Sequence, residues 1–201
     1  MQKFNIKVIS ELRLKDINFG GEGAPLVPIY HNLLCKRTRE KMPIVVLNIG
    51  GVTNATVVKN NNFLGFDVGP GNGPLDSIVF KKCKINIDED GKIASKGKAY
   101  KVIANKIINK LNNSLKTNSF DRTKLDNLCL EEVKQLNCND ALATITLVIC
   151  KIIFFKIKPY NPKKIILVGG GRKNIFLVKN LIEIFMCPVK LSEEIGWNGD
   201  S

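Results

Sequence analysis

The 201 residues hold one histidine, one tryptophan and five arginines, and nowhere a run of twenty apolar residues. Each shortage removes a class of function. A helix that crosses a bilayer needs about 20 consecutive apolar residues. The best stretch, "ALATITLVICKIIFF" from Ala141 to Phe155, carries Lys151 inside it and reads as a buried helix. The opening "MQKFNIKVIS" lacks an apolar core and a small-residue cleavage site, so no secretory signal is read and the expected address is cytoplasmic.

With His31 as the lone imidazole and no GxSxG, a Ser-His-Asp triad is not supported. The six cysteines stand at 35, 83, 129, 138, 150 and 187 without a CxxC pair, which argues against zinc or an iron–sulfur cluster. A chain of this length needs no staples, so the thiols are expected to be reduced and mostly in the core. There is no GxxxxGK[ST] and no GxGxxG after a strand, so neither a P-loop nor a Rossmann site is read.

The shortage of arginine matters because the net charge is +13, from 31 basic and 18 acidic residues. Such a surplus can mark a nucleic-acid binder. Here it is nearly all lysine, scattered along the chain, and lacks the planar forks that read base edges and phosphates. Asn and Ile are also abundant, so the surplus reads as compositional bias, with no nucleic-acid partner and no membrane partner expected. It still favours an anionic ligand.

What the chain does have is 44% hydrophobic residues, enough for one core, and glycine gathered in four places: 20–23, 50–51, 69–73 and 169–171. "IVVLNIGG" after Pro43 is a buried strand stopping on paired glycines. "TNATVVK" and "FLGFDVG" flank "NNN" at 60–62 and predict a hairpin or meander. "GPLDSIVFKKC" has helical spacing, with Asn72 or Asp76 as candidate caps. "DEDGK" at 88–92 lacks the closing Glu of a calcium loop and reads as a surface turn. "AYKVIANKIINKLNNSL" predicts an amphipathic helix with Val102, Ile103, Ile107 and Leu111 inward, followed by a polar loop over 113–126. A long helix is expected from about Asn139 to Ile157. "PKKIILVGGGRKN" and "IFLVKNLIEIF" then give strand, glycine turn and helix. The pattern is α/β with a mixed sheet.

Glycine at a strand tip lets backbone N–H groups come close to a ligand's oxygens, and a helix starting there adds its positive end. One such turn is ordinary backbone economy. Four in one chain predict an anion or nucleotide site.

Five segments, "DINFGGEGAPLVP" (16–28), "VLNIGGVTNAT" (46–56), "GFDVGPGNGPLD" (65–76), "DALATITLVIC" (140–150) and "ILVGGGRKN" (166–174), occur in an order that resembles anhydro-N-acetylmuramic acid kinase. That family belongs to the actin and hexokinase-like superfamily. The resemblance implies an actin-like ATPase (ribonuclease H-like) lobe over 43–201, preceded by a substrate-side segment over 1–42. It implies an ATP- and Mg²⁺-dependent kinase that opens 1,6-anhydro-N-acetylmuramic acid and phosphorylates O6 in peptidoglycan recycling. The partners implied are an anhydro-amino-sugar and, for the full-length protein, a second copy in a homodimer.

Residue by residue, the motifs imply Asp16 as general base, with a turn-capping role as the alternative. Gly20, Gly21, Glu22, Gly23 and Ala24 would shape the substrate loop. Asn48, Gly50, Gly51, Asn54, Asp67, Gly69, Gly71 and Asn72 would serve the ATP phosphates, Asp67 doubling as a turn residue or a contact to Mg²⁺ or sugar. Gly169, Gly170, Gly171 and Asn174 would receive the adenosine. No metal ligand is assigned with certainty. The family shows Gln where Glu22 stands and Thr where Val68 stands. Segment 117–126 matches only loosely. The family's N-terminal "GxMSGTSxDG"-type loop has no counterpart here, so the chain is expected to be the middle and later part of a kinase. The other reading left open is a non-catalytic nucleotide-binding module.

Overall fold

A computed structural model describes residues 10–20, 23, 26–114 and 122–199. Its frame is a five-stranded mixed sheet in the order β3-β2-β1-β4-β5. β1 (Ile44–Ile49), β2 (Val52–Val58) and β3 (Phe63–Pro70) form the antiparallel meander. β4 (Lys164–Val168) runs parallel to β1, and β5 (Val189–Leu191) runs parallel to β4. A parallel return needs a long crossover, and the helical segment between β3 and β4 supplies it.

The alternation of side chains along β1 and β4 splits the core in two. Val45, Leu47, Ile49, Ile165 and Leu167 join the large cluster, while Ile44, Val46, Ile166 and Val168 join a smaller one with Cys35 on the opposite face. Strands buried on both faces must be apolar throughout, which is why "IVVL" and "IILV" read as continuous runs. The large cluster is covered by α6 (Cys138–Ile157), with α4 (Lys101–Ser114) and α7 (Ile175–Ile184) packed on it. Asn137 caps α6 by accepting the Asp140 N–H at 2.9 Å. Lys151 sits on the open side of that helix, donating to Asn105 Oδ1 at 3.0 Å. No described helix is long and apolar enough to cross a membrane.

On the other face, α2 (Pro28–Arg37) lies against β2 and β3. His31 is buried there, its Nδ1 hydrogen-bonded to Thr56 Oγ1 at 2.8 Å, and burial pushes its pKa down to about 4. α1 (Leu12–Asn18) precedes it, α3 (Asn72–Ile78) runs into a π-helical turn at Val79–Cys83, and α5 (Arg122–Glu132) packs on α3 and α4.

Four expectations need correcting. Residues from Arg122 onward are helical, not loop, because Leu125 and Cys129 bury one face of α5. Val102 points outward, 83% exposed, and the inward row of α4 is Ala104, Ile107, Ile108 and Leu111. The first turn of α3 has no side-chain cap; Gly71 is its N-cap. Cys83 and Cys138 are joined by a disulfide, while Cys35, Cys129, Cys150 and Cys187 are free. Residues 88–92 do form a turn, held by buried Asp88, which accepts the N–H groups of Ile93 and Ala94.

Candidate functional site

The mixed sheet brings three glycine turns, from widely separated parts of the chain, to one edge. β1 ends at Gly50–Gly51, β3 ends at Gly69–Gly71, and parallel β4 ends at Gly169–Gly171. The first two are zipped together by main-chain bonds. Asn72 N–H donates to Gly50 O at 2.7 Å, and the N–H groups of Gly71 and Gly73 both donate to Gly51 O at 3.1 Å. A Cβ on Gly71 would stand 2.2 Å from Gly50 O, so this approach demands glycine. The third turn closes on β1 in the same way. Gly169 has φ +77°, and a Cβ there would meet Asn48 Oδ1 at 2.2 Å. Gly170, by contrast, has only Asn72 Nδ2 nearby, 3.8 Å from where its Cβ would stand.

Arg172 pins the third turn from behind. Although it is 5% exposed, its Nη1 donates to Gly169 O at 2.8 Å and its Nε to Glu193 Oε1 at 2.6 Å. That contact holds the Glu193 carboxyl below the usual range. Asn174 caps α7, its Oδ1 accepting the Leu177 N–H at 2.9 Å.

Between the second and third turns opens a cleft of about 550 Å³, lined by Asn72, Asp76, Asp88, Asp90, Gly170 and Lys173 among others. Its size suits a nucleoside-sized ligand. Asn72 Oδ1 is buried here without a hydrogen-bond partner among the described residues. An acceptor left so is costly unless a donor arrives.

Beneath the first turn lies a charged cluster. Arg122 crosses both glycine turns: its Cδ, Cζ and Nε each come within 3.0 Å of a Cβ on Gly51, and Nε within 3.0 Å of one on Gly73. Its Nε lies 3.6 Å from Asp126 Oδ2, which also accepts the Ser77 hydroxyl at 3.1 Å. Burial lifts the Asp126 carboxyl above the usual range, opposed by the Ser77 hydrogen bond and the Arg122 charge. Asp76 is lifted too, again mainly by burial, with Arg122 opposing and Asp126 adding to it.

The structure therefore brings together Gly50, Gly51, Gly69, Gly71, Asn72, Gly169 and Gly170 at the strand tips. Asn48, Asn54 and Asp67 form one row across β1, β2 and β3, by the pairs Asn48–Asn54 and Asn54–Asp67. Asp16, on α1, accepts the Gly23 N–H at 2.8 Å, and Arg13 donates to Gly23 O at 3.1 Å. Gly20 has φ +87°, and among the described residues nothing stands within 4 Å of where its Cβ would be. Gly21, Glu22 and Ala24 lie outside the described residues. Sequence reasoning missed Arg122, Asp126 and Arg172. The last had a signal, sitting inside "GGGRKN"; the other two fall at the end of a polar stretch with no local pattern.

Comparison with known proteins supports the same frame. The activator of the 2-hydroxyisocaproyl-CoA dehydratase from Clostridium difficile, solved with bound ADPNP, superposes with a TM-score of 0.50 at 16% identity, over 76% of this chain and 55% of that one. The fold is the α/β, actin-like ATPase lobe that the motifs implied. The anhydro-N-acetylmuramic acid kinase of Zymomonas mobilis is 35% identical over the whole chain and 55% of its own length. That of Pelagibacter ubique is 40% identical over 87% of the chain and 48% of its own length. The chain thus spans about half the length of these curated relatives. The family model for anhydro-N-acetylmuramic acid kinase matches residues 1–201, and the chain belongs to that family.

Proposed function

We propose that this chain forms the nucleotide-holding lobe of a cytoplasmic kinase that hydrolytically opens 1,6-anhydro-N-acetylmuramic acid and phosphorylates O6, giving N-acetylmuramic acid 6-phosphate. The observation that carries the reading is the meeting of the Gly50–Gly51, Gly69–Gly71 and Gly169–Gly171 turns at one sheet edge, beside a cleft whose Asn72 acceptor has no partner among the described residues. Family membership supports it.

In this reading the cleft takes the nucleoside. Its Asp76 carboxylate is a hydrogen-bond acceptor suited to sugar hydroxyls, and the acidic lining is poorly suited to phosphate, so the phosphates turn toward the first two glycine turns. There the bare main chain lets oxygens approach within hydrogen-bond distance. Gly69, Gly71 and Asn72 serve this end, with the Asn48–Asn54–Asp67 row behind the tips. Gly169, Gly170 and Gly171 serve the adenosine, Asn174 through the helix it caps. ATP supplies the phosphoryl group. Among the described residues no group of three or more His, Cys, Asp or Glu is placed to hold a metal ion. Asp67 is the side chain that would contact Mg²⁺ carried in with the phosphates.

In this reading segment 1–42 belongs to the substrate side. Asp16 takes the proton from the water that attacks the anomeric carbon, the anhydro C–O bond breaks toward O6, and that oxygen becomes the nucleophile. The loop around Gly20–Ala24 shapes the sugar pocket. Homodimer formation belongs to the same proposal.

The test is ATP consumption by the full-length protein with and without 1,6-anhydro-N-acetylmuramic acid, with the product identified by mass. Turnover only with the sugar, giving the 6-phosphate, is expected. Sugar-independent hydrolysis, or none, overturns the reading.

A further inference from the structure

The acidic cleft raises a question of charge. A nucleotide's phosphates carry several negative charges, yet the cleft sets the carboxylates of Asp76, Asp88, Glu89 and Asp90 against a single cation, Lys173. The fixed positive charge of Arg172 is spent inside the third turn, on Gly169 and Glu193. Arg122 is different. Its side chain is 57% exposed while its Cδ–Nε–Cζ end lies over Gly51 and its Nε over Gly73.

We infer that Arg122 is the phosphate-contacting arginine of this site, seated across the two zipped glycine turns and aimed by Asp126. The inference rests on the nucleotide reading above and deepens it.

The arrangement has the parts such a residue needs. A long side chain costs rotamer entropy to fix. Here part of that cost is met in advance, because the Nε end is packed where two missing Cβ atoms leave room. Asp126 takes the Nε edge and is itself held by Ser77, with its own residue 8% exposed. The guanidinium keeps two terminal amino groups in a planar fork, which matches a phosphate in a two-point contact as an ammonium does not. Gly51 and Gly73 are thus bare partly to seat an arginine, and Asp126 is a positioning residue.

The experiment compares three probes, adenosine, ADP and β,γ-imido-ATP, by calorimetry on the unaltered protein and on Arg122→Lys, Arg122→Gln and the double variant Arg122→Gln/Asp126→Asn, which leaves no buried carboxylate unpaired. Thermal unfolding checks each fold. The expected result is unchanged adenosine affinity, with imido-ATP weakened about ten-fold in both glutamine variants. Arg122→Lys recovers only part of the loss. An equal loss for adenosine and imido-ATP shows a structural role and overturns the inference, as does unchanged imido-ATP affinity. If the unaltered protein binds none of the three, the nucleotide reading fails and takes this inference with it.

Discussion

Asn72 gives its backbone N–H to the carbonyl of Gly50 at 2.7 Å, joining the start of α3 to the turn that ends β1. These residues are 22 positions apart, yet they form one surface. The antiparallel meander brings β1 and β3 to the same edge through β2, and the missing Cβ atoms let their turns touch.

Gly71 and Gly170 should therefore behave oppositely. Gly71→Ala drives a methyl to 2.2 Å from Gly50 O and should cost about 2 kcal/mol or more in urea unfolding. Gly170→Ala meets nothing closer than 3.8 Å and should stay within about 0.5 kcal/mol, while narrowing the cleft and weakening nucleoside binding. Equal costs would mean the turns are not zipped as described.

Asp16→Asn separates chemistry from structure. The amide oxygen still accepts the Gly23 N–H, so the loop stays in place. Turnover of the full-length kinase should fall about 100-fold or more, with nucleotide affinity unchanged. A rate equal to that of the native protein leaves Asp16 a turn-capping residue only.

Arg172→Met should open the third turn. The substitution keeps bulk but removes the donors to Gly169 O and Glu193, and should destabilise the fold by roughly 2 kcal/mol. Hydrogen exchange should quicken at Gly169–Asn174 and little elsewhere. Protection unchanged over those residues would show that Arg172 is not the pin.

His31 sets an acid limit. Its folded pKa of about 4 lies below the ordinary 6.5, through burial, so the unfolded chain binds the extra proton first. The stability tied to neutral His31 is complete above pH 6.5 and drains as pH falls toward 4, by up to roughly 3 kcal/mol. His31→Gln should start less stable and show a flatter decline over that window. Parallel curves for the two proteins would rule the histidine out as the cause.

Much of the frame was legible because it depends on local pattern. Continuous apolar runs made β1 and β4 readable, since a strand covered on both faces has no polar side to show. Helical spacing marked α4, α6 and α7. Val102 was misplaced because an amphipathic stripe leaves its borders open, and contact with α6 decides which border residue turns inward. α5 was hidden inside a polar stretch, since its short buried edge of Leu125 and Cys129 is set by α3 and α4 rather than by its own sequence. The disulfide was equally out of reach: Cys83 and Cys138 are 55 residues apart and meet only when α3's π-helical turn reaches the start of α6.

The sequence by itself determined that the chain is α/β, that three of its glycine clusters stand at strand ends, and to which family its motifs belong. These are properties of short stretches, fixed by side-chain period and backbone freedom. Only the tertiary structure decided which turns touch, because a parallel β1–β4 pair across a crossover of about a hundred residues is a long-range event no local pattern encodes. It also decided that Gly51 and Gly73 make room for Arg122, whose place is set by the packing of α5 on α3.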